Sequence, residues 1–216
     1  MQELAVLTYG ADPEHIDATL RRPARLPRRP PPAAVAVLGA TGPTGRAFVD
    51  AALRRGHTLT AVVRGAGRLD STPDLRVVEG DARTATTVEA AVRGQDAVFV
   101  SLGLSAGGSA EGGVTVCTDA VRHLVRAMPR LGVSRAIVMS THGVGDSNDG
   151  SPYVRRVWEL MGDRLQDKET MEAVLGASDL DWTVVRGAAD HRRAGERCVP
   201  RRPPARRSRR RPHPAP

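Results

Sequence analysis

Ala34-Val35-Ala36-Val37-Leu38-Gly39-Ala40-Thr41-Gly42-Pro43-Thr44-Gly45 is the stretch from which the rest of this chain can be read. Its first five residues form a short apolar run, the pattern of a strand buried on both faces. The glycines follow at once, and from Thr44 to Arg55 the spacing becomes helical. Ala47, Phe48, Ala51 and Ala52 fall on one side of that helix, and Gly56 is its C-terminal stop. A strand that turns into a helix through three spaced glycines has specific physical needs. Gly39 permits a tight turn out of the strand. Gly42 lets another group approach the backbone with no Cβ in the way. Gly45 allows the helix to lie close on the sheet. The N–H groups at the helix start have no partner within the helix and, aided by its dipole, favour an anion.

Downstream, strand-like runs alternate with helical stretches. Leu59–Val63, Leu75–Val78, Ala97–Val100, Arg135–Met139 and Trp182–Val185 are the expected strands. Thr87–Arg93, Val114–Leu131 and Tyr153–Leu175 are the expected helices, with Pro129 kinking or fraying the end of the second. This alternation predicts an α/β fold, a parallel sheet covered on both faces. Right-handed crossovers then give a Rossmann-type doubly wound sheet of order 3-2-1-4-5-6. In such a sheet the glycine-rich turn is a dinucleotide site holding a pyrophosphate. The spacing G-x-x-G-x-x-G, rather than G-x-G-x-x-G, points to the short-chain and extended reductase branch; a glycine-rich turn without a ligand is the alternative.

A site for NAD usually carries an acid at the end of the second strand, where it binds the ribose 2′-hydroxyl. Here the strand ends in Arg64, a guanidinium suited to a 2′-phosphate. The expected cofactor is therefore NADP, with NADPH preferred over NADH, and Arg68 is placed to assist. A solvated strand-end cation is the alternative for Arg64. Asp81-Ala82, after the third strand, can accept from the adenine amino group, or Asp81 can cap the following helix. Leu102-Gly103, after the fourth strand, let the backbone pass over the cofactor.

The chain has 216 residues and a formal net charge of +8. Residues 1–32 carry five Arg against four acids, and 187–216 carry ten Arg against two, so the intervening stretch is close to neutral. The positive charge thus belongs to the ends, and binding to nucleic acid is expected only non-specifically, through the Arg-rich tail. The expected organisation is a flexible Pro/Arg-rich leader over 1–32, a Rossmann domain over 33–186, and a disordered Arg/Pro tail over 187–216. Within the leader, Asp12 is placed to cap one or two helical turns. No apolar run reaches the roughly eighteen residues of a membrane span. The start lacks a secretory pattern, and Cys117 and Cys198 make neither a disulfide framework nor a metal site. A cytoplasmic protein acting on a small-molecule acceptor is expected.

The pieces V-A-V-L-G-A-T-G-P-T-G, T-A-V-V-R, V-V-E-G-D-A, G-Q-D-A-V-F-V-S-L-G, G-V-S-R-A-I-V-M-S-T and D-L-D-W-T-V-V-R lie in order over Val35–Arg186. Together they resemble the atypical short-chain dehydrogenase/reductase group with NAD(P)H-binding domains, which contains biliverdin reductase B (flavin reductase) and NmrA-like proteins. The resemblance implies that Gly39, Thr41, Gly42, Pro43, Thr44 and Gly45 surround the pyrophosphate. It places Arg64 on the 2′-phosphate, Asp81 on the adenine, and Ser140, Thr141 and His142, after the fifth strand, beside the nicotinamide. Relatives continue after V-V-R with Pro and a substrate-side segment, whereas Gly187 onward is Arg/Pro-rich, which suggests a frameshift or truncation.

Ordinary short-chain reductases use Tyr-x-x-x-Lys, the lysine lowering the pKa of the tyrosine that donates a proton. Tyr153 is followed four positions later by Val157, and the sole lysine is Lys168, so that pair is absent. A conjugated acceptor such as a flavin or quinone needs little acid assistance, so the expected function is an NADPH-dependent reductase that transfers hydride to a small acceptor of that kind. Ser140 and His142 are the candidate catalytic residues, for polar assistance or acceptor positioning. Alternatively Ser140 only ends a buried strand and His142 is exposed in a loop. The loop Gly143–Pro152 is placed to shape the acceptor site, its Asp146 and Asp149 reading as solvated acids rather than metal ligands. Trp158, Leu160, Met161 and Leu165 read as core. A non-catalytic NADP sensor of the NmrA-like kind is the competing function.

Overall fold

The computed structural model describes residues 31–65, 67–103 and 114–187. Six parallel strands form one sheet: β1 Ala34–Leu38, β2 Thr58–Val63, β3 Leu75–Glu79, β4 Ala97–Val100, β5 Arg135–Thr141 and β6 Asp181–Gly187. Their order is β3-β2-β1-β4-β5-β6, the doubly wound Rossmann arrangement expected from the alternation of elements. The helices are α1 Pro43–Arg54, α2 Ala85–Val92, α3 Val116–Arg130 and α4 Pro152–Gly176. The leader, with its helix cap at Asp12, and the tail after Gly187 lie outside the described residues.

The two faces of the sheet are covered unequally. Helices α2, α3 and α4 pack on one face, where Val88, Val92, Val121, Leu124, Met128, Met171 and Leu175 meet Ala36, Leu38, Val98 and Val138. Trp182 lies partly buried against this cluster. On the other face, α1 is the only helix among the described residues, and it sets Val49 and Ala52 against Val35, Val37, Leu59 and Phe99. Phe48 stacks on Phe99 with ring centroids 3.9 Å apart. Because α1 leans on the sheet through positions 45, 49 and 52, one helical face, Ala47 is exposed rather than inward.

Three sequence expectations are corrected. Strand β5 runs two residues past Met139, because β6 extends to Gly187 and pairs Ser140 with Arg186 and Thr141 with Gly187. Ser140 and Thr141 therefore belong to the strand instead of following it. Leu160 and Met161 are not core: they are 66% and 42% exposed. Met161 breaks the helical geometry of α4 (φ −139°, ψ 24°), so the helix changes course there and only its second half carries Leu165, Met171 and Leu175 inward. Helix α3 begins at Val116 and continues through Pro129 to Arg130, ending one residue after the proline. Pro129 has no N–H for the helix ladder, and its effect is confined to the last turn.

The termini of α3 and α4 are fixed differently. Ser151 caps α4, its Oγ accepting from the Val154 N–H at 3.2 Å, with Pro152 in the first turn. No side chain within α3 caps it. Instead the buried carboxylate of Asp167, from α4, accepts from the Cys117 and Thr118 N–H groups, both at 2.9 Å. The Thr118 hydroxyl donates back to the Asp167 carbonyl at 2.9 Å. A carboxylate on a helix N-terminus is favoured by both hydrogen bonding and the dipole.

Candidate functional site

The carboxyl ends of β1, β4 and β5 lie side by side, at the point where the strand order reverses. This is where open α/β sheets bind ligands. The Ser101 N–H donates to the Leu38 carbonyl at 2.8 Å, drawing the end of β4 against the turn after β1. Gly39 has φ +89°, and a Cβ on it would collide with the Ser101 carbonyl. A Cβ on Gly45 would collide with the Gly39 carbonyl, so the helix can approach the turn only without a side chain there. The protein itself thus requires glycine at both positions.

Gly42 differs. Its backbone is extended (φ −75°, ψ 164°), and a Cβ would meet only the Gly39 carbonyl oxygen, at an ordinary 3.6 Å. Nothing in the fold demands glycine there, which fits a position kept open for a ligand. Gly42 also caps α1 without a side chain, and Pro43 follows with no N–H to satisfy. None of the described residues accepts from the Thr44 or Gly45 N–H groups. Arg46 turns back along the loop, its Nε donating to the Thr41 carbonyl at 3.1 Å. The result is an open helix N-terminus beside a bare backbone, suited to a pyrophosphate.

At the end of β5, Ser140 is 9% exposed and its Oγ has no hydrogen-bond partner among the described residues. A buried hydroxyl left unpaired costs about 1–3 kcal/mol, which a ligand accepting or donating there would recover. Thr141 Oγ1 and the His142 N–H reach the Gly187 carbonyl at 3.5 and 3.1 Å, so β6 holds the backbone beside the crevice. His142 is half-buried, not fully exposed in a loop, and it lies near enough to Asp149 to favour that carboxylate's charge. The larger cause of the lowered Asp149 pKa is its hydrogen bonding with Ser151. Among the described residues no cluster of His, Cys, Asp or Glu has the arrangement of a metal site.

Lys168 has a place at this crevice that the sequence pattern does not reveal. Its Nζ donates to the Leu102 carbonyl and to the Met139 carbonyl, each at 2.8 Å, and so ties the ends of β4 and β5 together beside Ser140. The Cys117 thiol lies beside this ammonium, whose charge and hydrogen bonding favour the thiolate against the larger opposing effect of burial. The Tyr-x-x-x-Lys spacing could not find the lysine, because its position depends on the course of α4 rather than on distance from Tyr153. Asp167, next in the chain, fixes α3, and adjacent Cys117 is buried so deeply that its thiol is pushed up to about 12. A second ionic group shapes the acceptor side. Arg186 on β6 pairs with Glu172 of α4 and with Asp146 of the loop after β5, both at 2.5 Å. Beside it, Trp158 Nε1 donates to the Gly143 carbonyl at 2.8 Å.

At the other end of the crevice, Arg64 follows β2 and is exposed, with no ion-pair or hydrogen-bond partner among the described residues. Gly80 donates its N–H to the Val63 carbonyl at 2.8 Å, so Asp81 and Arg64 stand at the ends of neighbouring strands. Asp81 is engaged by Arg83, and that contact is the main reason its carboxyl lies below the ordinary range. Ala82 is buried beneath it, whereas Leu102 is half-buried and Gly103 exposed on the β4 side. The structure thus brings every predicted site residue to one edge of the sheet.

A family profile described as NAD(P)H-binding matches residues 39–199. Among solved structures, ChuY from Escherichia coli O157:H7, an anaerobilin reductase, is similar at 25% identity over 71% of each chain, with a TM-score of 0.60. A short-chain dehydrogenase/reductase from Veillonella parvula in complex with NADP shares 21% identity over 71% of this chain and 68% of its own, at a TM-score of 0.54. WbmG from Bordetella bronchiseptica, in complex with NAD, shares 18% identity over 74% and 55%, at 0.58. The last two show likeness of fold.

Proposed function

This chain belongs to the NAD(P)H-binding family, and from that premise we propose that it is an NADPH-dependent reductase of a small conjugated acceptor such as a flavin or quinone. The observation that carries the cofactor preference is Arg64: an exposed guanidinium, without a hydrogen-bond or ion-pair partner among the described residues, where an NAD site would place an acid. The open start of α1 and the bare backbone at Gly42 suit the pyrophosphate, with Thr41, Pro43 and Thr44 around it. Leu102, Gly103, Ser140 and Thr141 would line the nicotinamide half. Bound NADPH would supply a hydride; the protein's share is to orient it and to stabilise the acceptor. Ser140 Oγ and the His142 ring are the polar groups available for that, with Lys168 holding the strand ends beside them. The likeness to ChuY, named as a reductase, supports this reading.

The acceptor is inferred from what is missing. Val157 stands where the Tyr153-based pair would need lysine, so acceptors that demand strong acid assistance are disfavoured. The same observation favours a second reading, a non-catalytic NADP sensor of the NmrA-like kind. Mixing the protein with NADPH and a panel of flavins and quinones, while following the nicotinamide absorbance, separates the two. Oxidation with any member supports the reductase; tight NADP binding with no turnover supports the sensor. No helix among the described residues is long and apolar enough to cross a membrane.

A further inference from the structure

The adenosine end of the crevice holds a second guanidinium beside Arg64, that of Arg83, paired with Asp81. Asp81 Oδ1 accepts from the Arg83 N–H at 2.8 Å and from its Nε at 3.2 Å. Oδ2 accepts from Nε at 3.1 Å and from Nη2 at 2.7 Å. An ionised carboxylate offers about four lone-pair directions, and three N–H groups of one arginine, with the Nε hydrogen shared between both oxygens, occupy most of them, which reduces the capacity for an adenine amino group. The guanidinium, in contrast, is gripped side-on. No described residue takes its Nη1 or the second Nη2 hydrogen, and the side chain is 53% exposed. Asp81 and Arg64 end adjacent paired strands, so the two guanidinium groups flank one carboxylate at the same rim. A phosphate, with three acceptor oxygens to share, suits two arginine forks.

We propose that Arg83 is a second arginine for the 2′-phosphate of NADP, and that Asp81 serves the site by orienting Arg83 rather than by accepting from adenine. This rests on the NADP reading given above. Asp81 is then a positioning residue, and Arg83 a specificity-determining one that glycine spacing and strand-end rules do not reveal.

The test is calorimetric affinity for NADP and NAD, measured on the full chain and on the variants R64A, R83A, R83K, D81A and D81A/R83A. R83A is expected to weaken NADP about tenfold and leave NAD unchanged, with R83K recovering only part of the loss. D81A is expected to weaken NADP alone, and to add little once Arg83 is already gone. If D81A weakens both nucleotides equally while R83A weakens neither, Asp81 is an adenine acceptor and the proposal is overturned, although R64A still lowers the NADP preference. If the unsubstituted protein has no NADP preference, or R64A leaves it intact, the NADP reading falls and this assignment falls with it.

Discussion

Gly45 lies so close to Gly39 that a side chain on the first would run into the carbonyl of the second. The start of α1 and the turn after β1 are therefore one packed unit, which separates glycines the fold needs from the glycine a ligand needs. Gly45→Ala should destabilise the protein by roughly 3 kcal/mol, since backbone atoms must give way. Gly42→Ala should leave the unfolding midpoint within about 0.5 kcal/mol of the parent yet abolish nucleotide binding. Equal effects of the two on stability, by urea denaturation, would show that Gly42 is also structural.

Asp167 is the buried cap of a helix fifty residues away in sequence. Asp167→Ala should cost about 2–3 kcal/mol, because two N–H groups of α3 lose their acceptor in a place water does not reach. The same denaturation series measures it, and a loss below about 0.5 kcal/mol would mean that α3 finds another cap.

Cys117 gives a pH dependence. Burial is the main cause raising its thiol to about 12, against an ordinary value of 9.0. The folded state thus holds the proton more tightly than the unfolded chain. The stabilisation is fully present below about pH 9 and is lost as pH rises through about 12, by up to roughly 1.4 kcal/mol per pH unit. Cys117→Ala should flatten that decline. An unchanged slope in the variant, or fast alkylation of Cys117 in the folded protein at pH 8, would rule the protected thiol out.

Lys168 joins two strand ends rather than completing a tyrosine pair. Lys168→Met should lower stability by about 1–2 kcal/mol and weaken NADP and NAD by the same factor, leaving their ratio untouched. A selective loss of one nucleotide in binding assays would place Lys168 at the adenosine end instead.

The glycine-rich turn, the six strands and their order were legible in the sequence because each follows from local pattern: apolar runs of four to six residues, spaced glycines, and right-handed crossovers. Arg64 was legible for the same reason, as the residue that follows a strand. What escaped depends on partners distant in the chain. The last two residues of β5 are strand only because Arg186 and Gly187 of β6 lie beside them. Leu160 and Met161 fit an inward-facing pattern and face outward because α4 changes course at Met161. Lys168 and Asp167 gain their roles from carbonyls and amides on β4, β5 and α3. Arg83 lies only two residues from Asp81, but whether that carboxylate would turn to arginine or to a ligand is a matter of side-chain geometry.

If the turn after β1 receives a dinucleotide whose 2′-phosphate meets Arg64, calorimetric titration of the folded full chain with NADP and with NAD should show it. The expected result is saturable binding of NADP at least about tenfold tighter than NAD, a difference removed by Arg64→Ala. Folded protein that releases no heat with either nucleotide, or that binds NAD more tightly, would contradict it.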